Sequence, residues 1–361
     1  MDRQVSNRQL FFIIFITLYS FSVQDLPKTM ARSAGTGAWV PLLLVAIFMS
    51  FAVAIIIYLG IIFKGKTLFE YSSILVGKFL TYCFAVIYIV YFFVVLSMLH
   101  RSSAEIIKLE ILSKTPVWAT MFGMFLLVTY AVSKGISNIG RIFEFFGYIL
   151  MFTIVSFSIA MYYSGDILNI LPLFDIKEVS SYMKALPLAV MPFLGIEALT
   201  IIPLSKINGK KTIWTSICSV FSVLVCFILV VYLTYMMLGV EEAKNYKDTL
   251  FTGIRLMDLD ILQFLKRFDT IAFVVWISIM FCSVTILTYT LTEYTHKILP
   301  KVNSTKLLII VSVLVYIAAI LPASYDKATQ IFTFITMYFG LVPAFLIPMI
   351  LLIVAKVKKH V

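Results

Sequence analysis

The sequence predicts an all-α integral membrane protein of about ten transmembrane helices, and three observations carry that prediction. The 361 residues are 61% hydrophobic and 13% charged, where a soluble domain is about 45–50% apolar and about 25% charged. Mean hydropathy is +1.03, so the chain cannot cover its surface with polar groups and lipid must solvate it. A crossing needs roughly 20 residues plus a short connection, which leaves room for about ten to twelve helices.

Apolar segments run over 9–24, 39–63, 79–99, 117–133, 142–163, 185–204, 212–238, 270–292, 306–322 and 328–355, each read as one helix. The first follows Met1-Asp2-Arg3 without an A-x-A-like cleavage site, and further apolar segments come directly after it. It therefore reads as a membrane helix, not a secretory signal. Its course, LFFIIFITLYSFSVQDLPKTMARSAG, is broken by Ser20, Ser22, Gln24, Asp25 and Pro27. A break at Tyr19–Val23 leaves free amides at the start of the second half, where the positive end of the helix dipole suits a carboxylate. Asp25 and Lys28, three apart, share the spacing of a local pair there.

The third segment presents Tyr88, Tyr91 and Val95 on one face, and Arg141 and Glu144 at the start of the fifth are spaced for a local pair. The connection 164–184 reads as a polar loop. The sixth segment, LPLAVMPFLGIEALTIIP, is interrupted by Pro187, Pro192, Gly195, Glu197 and Pro203. A break at Leu194–Glu197 leaves free carbonyls that suit an ammonium or a cation. Glu197 is the one acid inside an otherwise uncharged apolar segment, a placement that costs roughly 2.5–3.5 kcal/mol on insertion scales and usually faces a cavity or a partner. Its carboxyl either holds a cationic group or a proton, or ties the broken helix to its neighbours; the two roles are compatible.

The seventh segment carries Cys218 and Cys226, about 12 Å apart along a helix and too far to bridge. With Cys83 and Cys282 they read as small core residues lacking metal-site spacing. The connection 239–269 spaces Leu256, Leu259, Leu262 and Leu265 for a short amphipathic helix at the outer membrane face, serving as a structural loop or as a lid or partner-docking element. The eighth segment lines up Ser278, Cys282, Thr285, Tyr289 and Thr292 at i, i+4, i+7, i+11 and i+14. That polar face meets a cavity or serves as hydrogen-bonding glue between helices. His100 and His296 read as helix-end residues.

The two interrupted segments stand five places apart in the series, and an odd number of crossings reverses direction. The single domain 1–361 thus divides into two halves of opposite topology, 9–163 and 185–355, the pattern of inverted-repeat transporters with a midplane site. The net charge of +11 is dispersed over short loops, which fits membrane topology and not nucleic-acid binding. With the N-terminus in the cytoplasm, the inner side carries 16 Lys and Arg; the outer side carries 13, five of them in 239–269. Both termini are therefore expected inside. No nucleophile–base–acid set, phosphate loop or metal-ligand cluster is visible, so neither an enzyme nor a cofactor is expected.

Several stretches resemble the spore-germination permeases, the B subunits of nutrient germinant receptors. They are SNRQLFFII at 6–14, LPKTMARSAGTGAW at 26–39, GKTLFEYSSILVGK at 65–78, LSKTPVW at 112–118, KGISNIGRIFEFF at 134–146 and NILPLF at 169–174. FLGIEAL at 193–199 is similar to the glycine–aromatic–glutamate motif of that family and of the wider amino acid–polyamine–organocation superfamily, with Ile196 in place of the aromatic. The resemblance implies a LeuT-like five-plus-five inverted repeat with helices 1 and 6 broken, in the inner membrane of an endospore. It implies an A-type membrane subunit and a C-type lipoprotein as partners, and a small nutrient, often an amino acid, as ligand. The implied pocket comprises Tyr91, Val95, Leu194, Gly195, Glu197, Thr285 and Tyr289. Ser20 and Ser22 stand at the first break, where YSFSV replaces the glycine–serine–glycine turn of superfamily transporters.

Three functions fit this frame. A germinant-receptor subunit would let ligand binding shift a conformational equilibrium that partners read. A secondary transporter would move an amino acid or related cation with H⁺ or Na⁺. A third possibility is a water or ion path that opens after the signal. Fold does not separate them.

Overall fold

The computed structural model describes residues 5–63, 65–204, 209–246, 248–257 and 268–359. The chain begins with α1 (Asn7–Ser22), which pauses at 23–25 and continues as α2 (Leu26–Ala34). Ser6 starts α1 through a reciprocal pair: its hydroxyl accepts the Gln9 amide at 3.2 Å while Gln9 Oε1 accepts the Ser6 amide at 3.1 Å. The interruption falls a few residues later than Tyr19–Val23. Val23 keeps right-handed helical angles, the glycine-free YSFSV run offering no residue suited to a left-handed turn, and Pro27 removes one of the amides that the start of α2 would otherwise leave free.

Next come α3 (Trp39–Ile62), the short α4 (Leu68–Leu75), α5 (Gly77–Glu110), α6 (Val117–Ser133) and α7 (Ile136–Ser164). Residues 164–184 hold short 3₁₀ turns and α8 (Val179–Lys184). This connection is less polar in effect than expected, because Leu168 and Ile176 are exposed. It is fastened by Thr36 Oγ1 donating to the Pro172 carbonyl at 2.5 Å and Trp39 Nε1 to that of Leu173 at 3.0 Å.

The sixth segment is α9 (Leu186–Val190), a 3₁₀ turn at Met191–Phe193, an extended Leu194, a left-handed Gly195, and a second 3₁₀ stretch at Ile196–Ile201. Then follow α10 (Gly209–Leu238), α11 (Val240–Ala243), α12 (Thr249–Arg255), α13 (Phe268–Ile298), α14 (Ser304–Ile320), α15 (Tyr325–Phe339) and α16 (Ile347–Val357), the last two joined through a π-helical turn at Val342–Leu346. Of the amphipathic helix expected in 239–269, α11 and α12 are seen and Leu256 follows α12; Leu259, Leu262 and Leu265 lie outside the described residues.

Among the described residues, six helical stretches are long and apolar enough to cross a membrane: Trp39–Ile62, Gly77–Glu110, Ile136–Ser164, Gly209–Leu238, Asp269–Ile298 and Tyr325–Val357. Val117–Ser133 and Ser304–Ile320 are shorter apolar helices. Large apolar side chains such as Phe79, Phe152 and Leu321 stand fully outward, the reverse of a soluble protein and the surface that lipid solvates. The protein is thus a multi-pass α-helical membrane protein with the first and sixth segments broken.

The broken segments lie at the centre. α1 packs against α7, α10 and α13, and the 3₁₀ half of the sixth segment against α3 and α13. The connections 164–184 and 239–257 sit on one end of the bundle, here the loop face; the starts of α1 and α10 and the end of α13 sit on the other, the terminal face. On the loop face, Arg255 of α12 pairs with Glu110 of α5, Asp248 and Asp269 of α13. On the terminal face, Lys297 Nζ meets Glu70 Oε1 at 2.6 Å. Glu144 pairs with Arg8 of α1 at 3.5 Å; the local Arg141 pair does not form, because α1 lies closer to that carboxyl. His100 is no helix-end residue: α5 runs on to Glu110, and the ring is buried with Nε2 3.0 Å from the Met121 carbonyl.

Candidate functional site

The site grows from the break at Leu194–Gly195. Leu194 is extended and Gly195 has φ +115°, a conformation that a side chain strains. The turn points the Gly195 amide at the residue two further on, and Gly195 N donates to Glu197 Oε2 at 2.8 Å. Glu197 is completely buried. Its other oxygen, Oε1, and the hydroxyl of Tyr91 face each other as hydrogen-bonding neighbours, and neither makes a well-formed hydrogen bond to any third group. A buried carboxylate oxygen whose one neighbouring donor is a phenol in imperfect geometry is a place where a donor-bearing ligand group would be stabilised.

Around this pair a polar chain crosses the bundle. Thr200 Oγ1 lies 2.6 Å from the Glu197 carbonyl and 2.7 Å from the Tyr294 hydroxyl. The Tyr294 ring stacks on Tyr88, whose hydroxyl donates to the Pro343 carbonyl at 2.7 Å. The π-helical turn supplies that carbonyl. One run of contacts therefore joins the sixth segment, α13, α5 and the α15–α16 junction.

The residues expected to line a pocket are distributed unevenly. Tyr91, Leu194, Gly195 and Glu197 meet at the break. Val95, Leu194 and Thr285 are buried and Tyr289 is half-buried. The Thr285 hydroxyl is occupied within its own helix, donating to the Phe281 carbonyl at 2.7 Å, as Ser278 and Thr292 also do four residues back. The polar face of α13 is thus largely self-satisfied.

Ser283, one position off that face, makes the connection that spacing did not single out: its hydroxyl lies 2.5 Å from that of Ser20 on α1. A search for hydroxyls facing the broken first segment would have found it; a search for one helical stripe does not.

On the loop-face side of this cluster lies a cavity of about 430 Å³. Ser20 and Ser22 border it, whereas Tyr91, Val95, Leu194, Gly195, Glu197, Thr285 and Tyr289 do not. The rest of its wall includes Gln24, Asp25, Arg32, Trp276 and Asp326. Among the described residues no group of three or more His, Cys, Asp or Glu could hold a metal ion.

Comparison with known proteins gives a consistent result. The profile of a family described as "Spore germination protein" matches residues 4–327. Spore germination protein A2 of Bacillus subtilis (strain 168) is 24% identical over 361 residues, covering 97% of this chain and 94% of that protein. Spore germination protein GerLB of Bacillus cereus is 23% identical, covering 99% and 96%. Among solved structures, MhsT in complex with L-phenylalanine superposes with a TM-score of 0.71 over 98% of this chain and 99% of that one, at 13% identity. At that identity the likeness is one of fold, the LeuT-like arrangement.

Proposed function

The chain belongs to the spore germination protein family, and on that premise we propose that it is the membrane subunit of a spore germinant receptor, binding a small zwitterionic nutrient at Glu197. The observation that carries this reading is the fully buried Glu197 carboxyl beside a helix break, with Oε1 and the Tyr91 hydroxyl facing each other and well bonded to no third group. An ammonium placed there would supply a stronger donor to the carboxylate and free the phenol, which would then donate to the ligand's carboxyl group. The ligand would act by binding one arrangement of the broken segments more tightly than another. The polar chain from Glu197 through Thr200, Tyr294 and Tyr88 to Pro343 would carry the difference to α15 and α16. In this reading the protein resides in the inner membrane of the endospore with both termini cytoplasmic and the loop face outward. An A-type membrane subunit and a C-type lipoprotein are its partners.

The test is germination of spores lacking the gene, challenged with single amino acids and nucleosides. Loss of response to one nutrient, restored by the wild-type gene, supports the receptor and names the ligand class. Normal germination on every nutrient counts against it. The transporter fold shared with MhsT keeps one alternative in view, a secondary transporter coupled to H⁺ or Na⁺. Uptake of a labelled amino acid by vesicles containing this chain alone would favour that alternative.

A further inference from the structure

Two stretches of the sequence, LPKTMARSAGTGAW at 26–39 and NILPLF at 169–174, meet on the loop face, away from Glu197. Thr36 and Trp39 hold the carbonyls of Pro172 and Leu173, and the Trp39 ring lies 6.3 Å from that of Phe174. Nearer its start, the connection 164–184 hangs on the Met236 carbonyl, which accepts from the Asp166 amide and from Asn169 Nδ2, each at 3.0 Å. Met236 lies in the last turn of α10, and Trp39 opens α3. The connection therefore runs around the bundle at the level of the helix ends and does not stand above them.

That level is where a membrane meets water. Along α7, Phe145, Tyr148, Phe152, Val155, Ile159 and Tyr162 are all exposed, at i, i+3, i+7, i+10, i+14 and i+17. They form a single stripe facing lipid. The stripe closes with Tyr162 and the 80% exposed Tyr163, and Trp118 stands outward at the start of α6. Aromatic residues of this kind collect at the membrane–water interface. The connection follows at once, and its apolar side chains keep turning outward. Leu168 is 68% exposed and Ile176 79%, with Ile167 and Leu171 also open. A run of exposed apolar groups is unfavourable on a surface that meets only water. The backbone beneath is provided for: Asp166 accepts the Leu168 amide and Asp175 that of Lys177, each at 2.9 Å, so these groups do not depend on water.

We propose that the connection 164–184 is an interfacial membrane anchor. Its apolar side chains enter the boundary between headgroups and acyl chains in the leaflet on the loop face. The surface continues the lipid-facing stripe of α7, and this continuity points to a bilayer, not a protein, as the occupant. The anchor is tied to both broken segments. Tyr182 of α8 is buried, and its hydroxyl accepts the Asp175 amide at 3.1 Å. Its ring lies so close to Gly37, just beyond α2, that a Cβ there would be 2.3 Å away. α9, the first half of the sixth segment, begins directly after α8. A leaflet that grips this anchor thus holds the loop-face halves of both broken segments, whatever binds at Glu197.

The experiment uses the full-length chain in vesicles of phosphatidylethanolamine and phosphatidylglycerol. Single spin labels are placed at Leu168 and at Ile176, in a Cys83→Ser, Cys218→Ser, Cys226→Ser background that melts with the wild type. Collisions with oxygen, which enters lipid, are compared with those of a nickel chelate, which stays in water. A label at Phe152 supplies the lipid reference, and one at Glu241, exposed on α11, the water reference. The labels at Leu168 and Ile176 are expected to favour oxygen over nickel, as the one at Phe152 does.

Labels as open to nickel as the one at Glu241 would mean that the patch faces water in the lone chain and is free for a protein partner, which overturns the anchor. Labels shielded from both reagents would mean that a second copy covers the patch, which overturns it equally.

Discussion

Tyr88 of α5 and Tyr294 of α13 lie face to face, with ring centroids 4.7 Å apart and planes 7° from parallel. Each sends its hydroxyl to a different element, Tyr88 to the Pro343 carbonyl and Tyr294 to Thr200. The stack is thus the crossing point of two hydrogen bonds that fix the π-helical turn and the 3₁₀ half of the sixth segment. Tyr88→Phe keeps the ring and strands a carbonyl. It should lower unfolding stability by about 1–2 kcal/mol, read as a shift in the thermal midpoint in detergent. The double variant with Tyr294→Phe should lose less than the sum of the two single losses, because both act on one network.

Gly195 holds a φ of +115° so that its amide can reach Glu197. Gly195→Ala should cost about 1–3 kcal/mol in backbone strain and turn the amide away from the carboxylate. A lowered melting temperature together with loss of nutrient response is the expected pair of results. A variant that melts with the wild type would show that the turn relaxes without effect.

Glu197→Gln preserves the shape of the side chain and removes its charge. A weakening of the nutrient response by at least about tenfold, with folded protein at wild-type levels, is expected where a charge-assisted hydrogen bond is lost. Dose–response germination of spores carrying the variant measures it, and an unchanged response would leave Glu197 with a structural task alone.

On the terminal face, burial alone would raise the Glu70 carboxyl. The hydrogen bonds from Lys297 and Thr67 outweigh burial and hold it below the ordinary glutamate value of 4.5. A carboxyl depressed by folding contributes stability that is complete above its unfolded value and is lost as pH falls through the folded one. The side chain is 41% exposed, so solvent screening holds the contribution to about 0.5 kcal/mol. Unfolding followed from pH 7 down through the acid range should show this loss in the wild type, and it should be diminished in Lys297→Gln.

The class of fold was legible because it depends on composition and on segment length, which the sequence displays directly. The break in the sixth segment was legible for a similar reason, since Gly195 and the flanking prolines mark it and a lone buried acid follows. The break in the first segment was placed a few residues early. Its hydroxyl residues proved compatible with helical angles, and the interruption came next to Gln24 and Asp25. Glu144 shows a further reason for misreading: its local partner was chosen by spacing along one helix, whereas Arg8 reached it from another. The polar face of α13 misled in the same way, because spacing cannot tell that Thr285 bonds back to its own helix while Ser283 bonds across to Ser20. Cavities are relations among several segments, so the void beside Gln24 and Trp276 has no signature in any one of them.

The 3₁₀ winding of Ile196–Ile201 has a mechanical consequence. Six residues in that form extend ~12 Å, and the same six wound as an α-helix extend ~9 Å. Rewinding this stretch would therefore act as a stroke of about 3 Å, drawing in whatever is attached beyond it. The first attachment is Leu204, whose carbonyl crowds the backbone so closely that a Cβ on Gly65 would sit 2.7 Å from it. Paired spin labels at Leu204 and at Lys66 on the adjoining turn would register the displacement, and an unchanged spacing in the ligand-bound state would rule it out. A change of helical pitch at the buried glutamate would in this way become a translation felt on the terminal face.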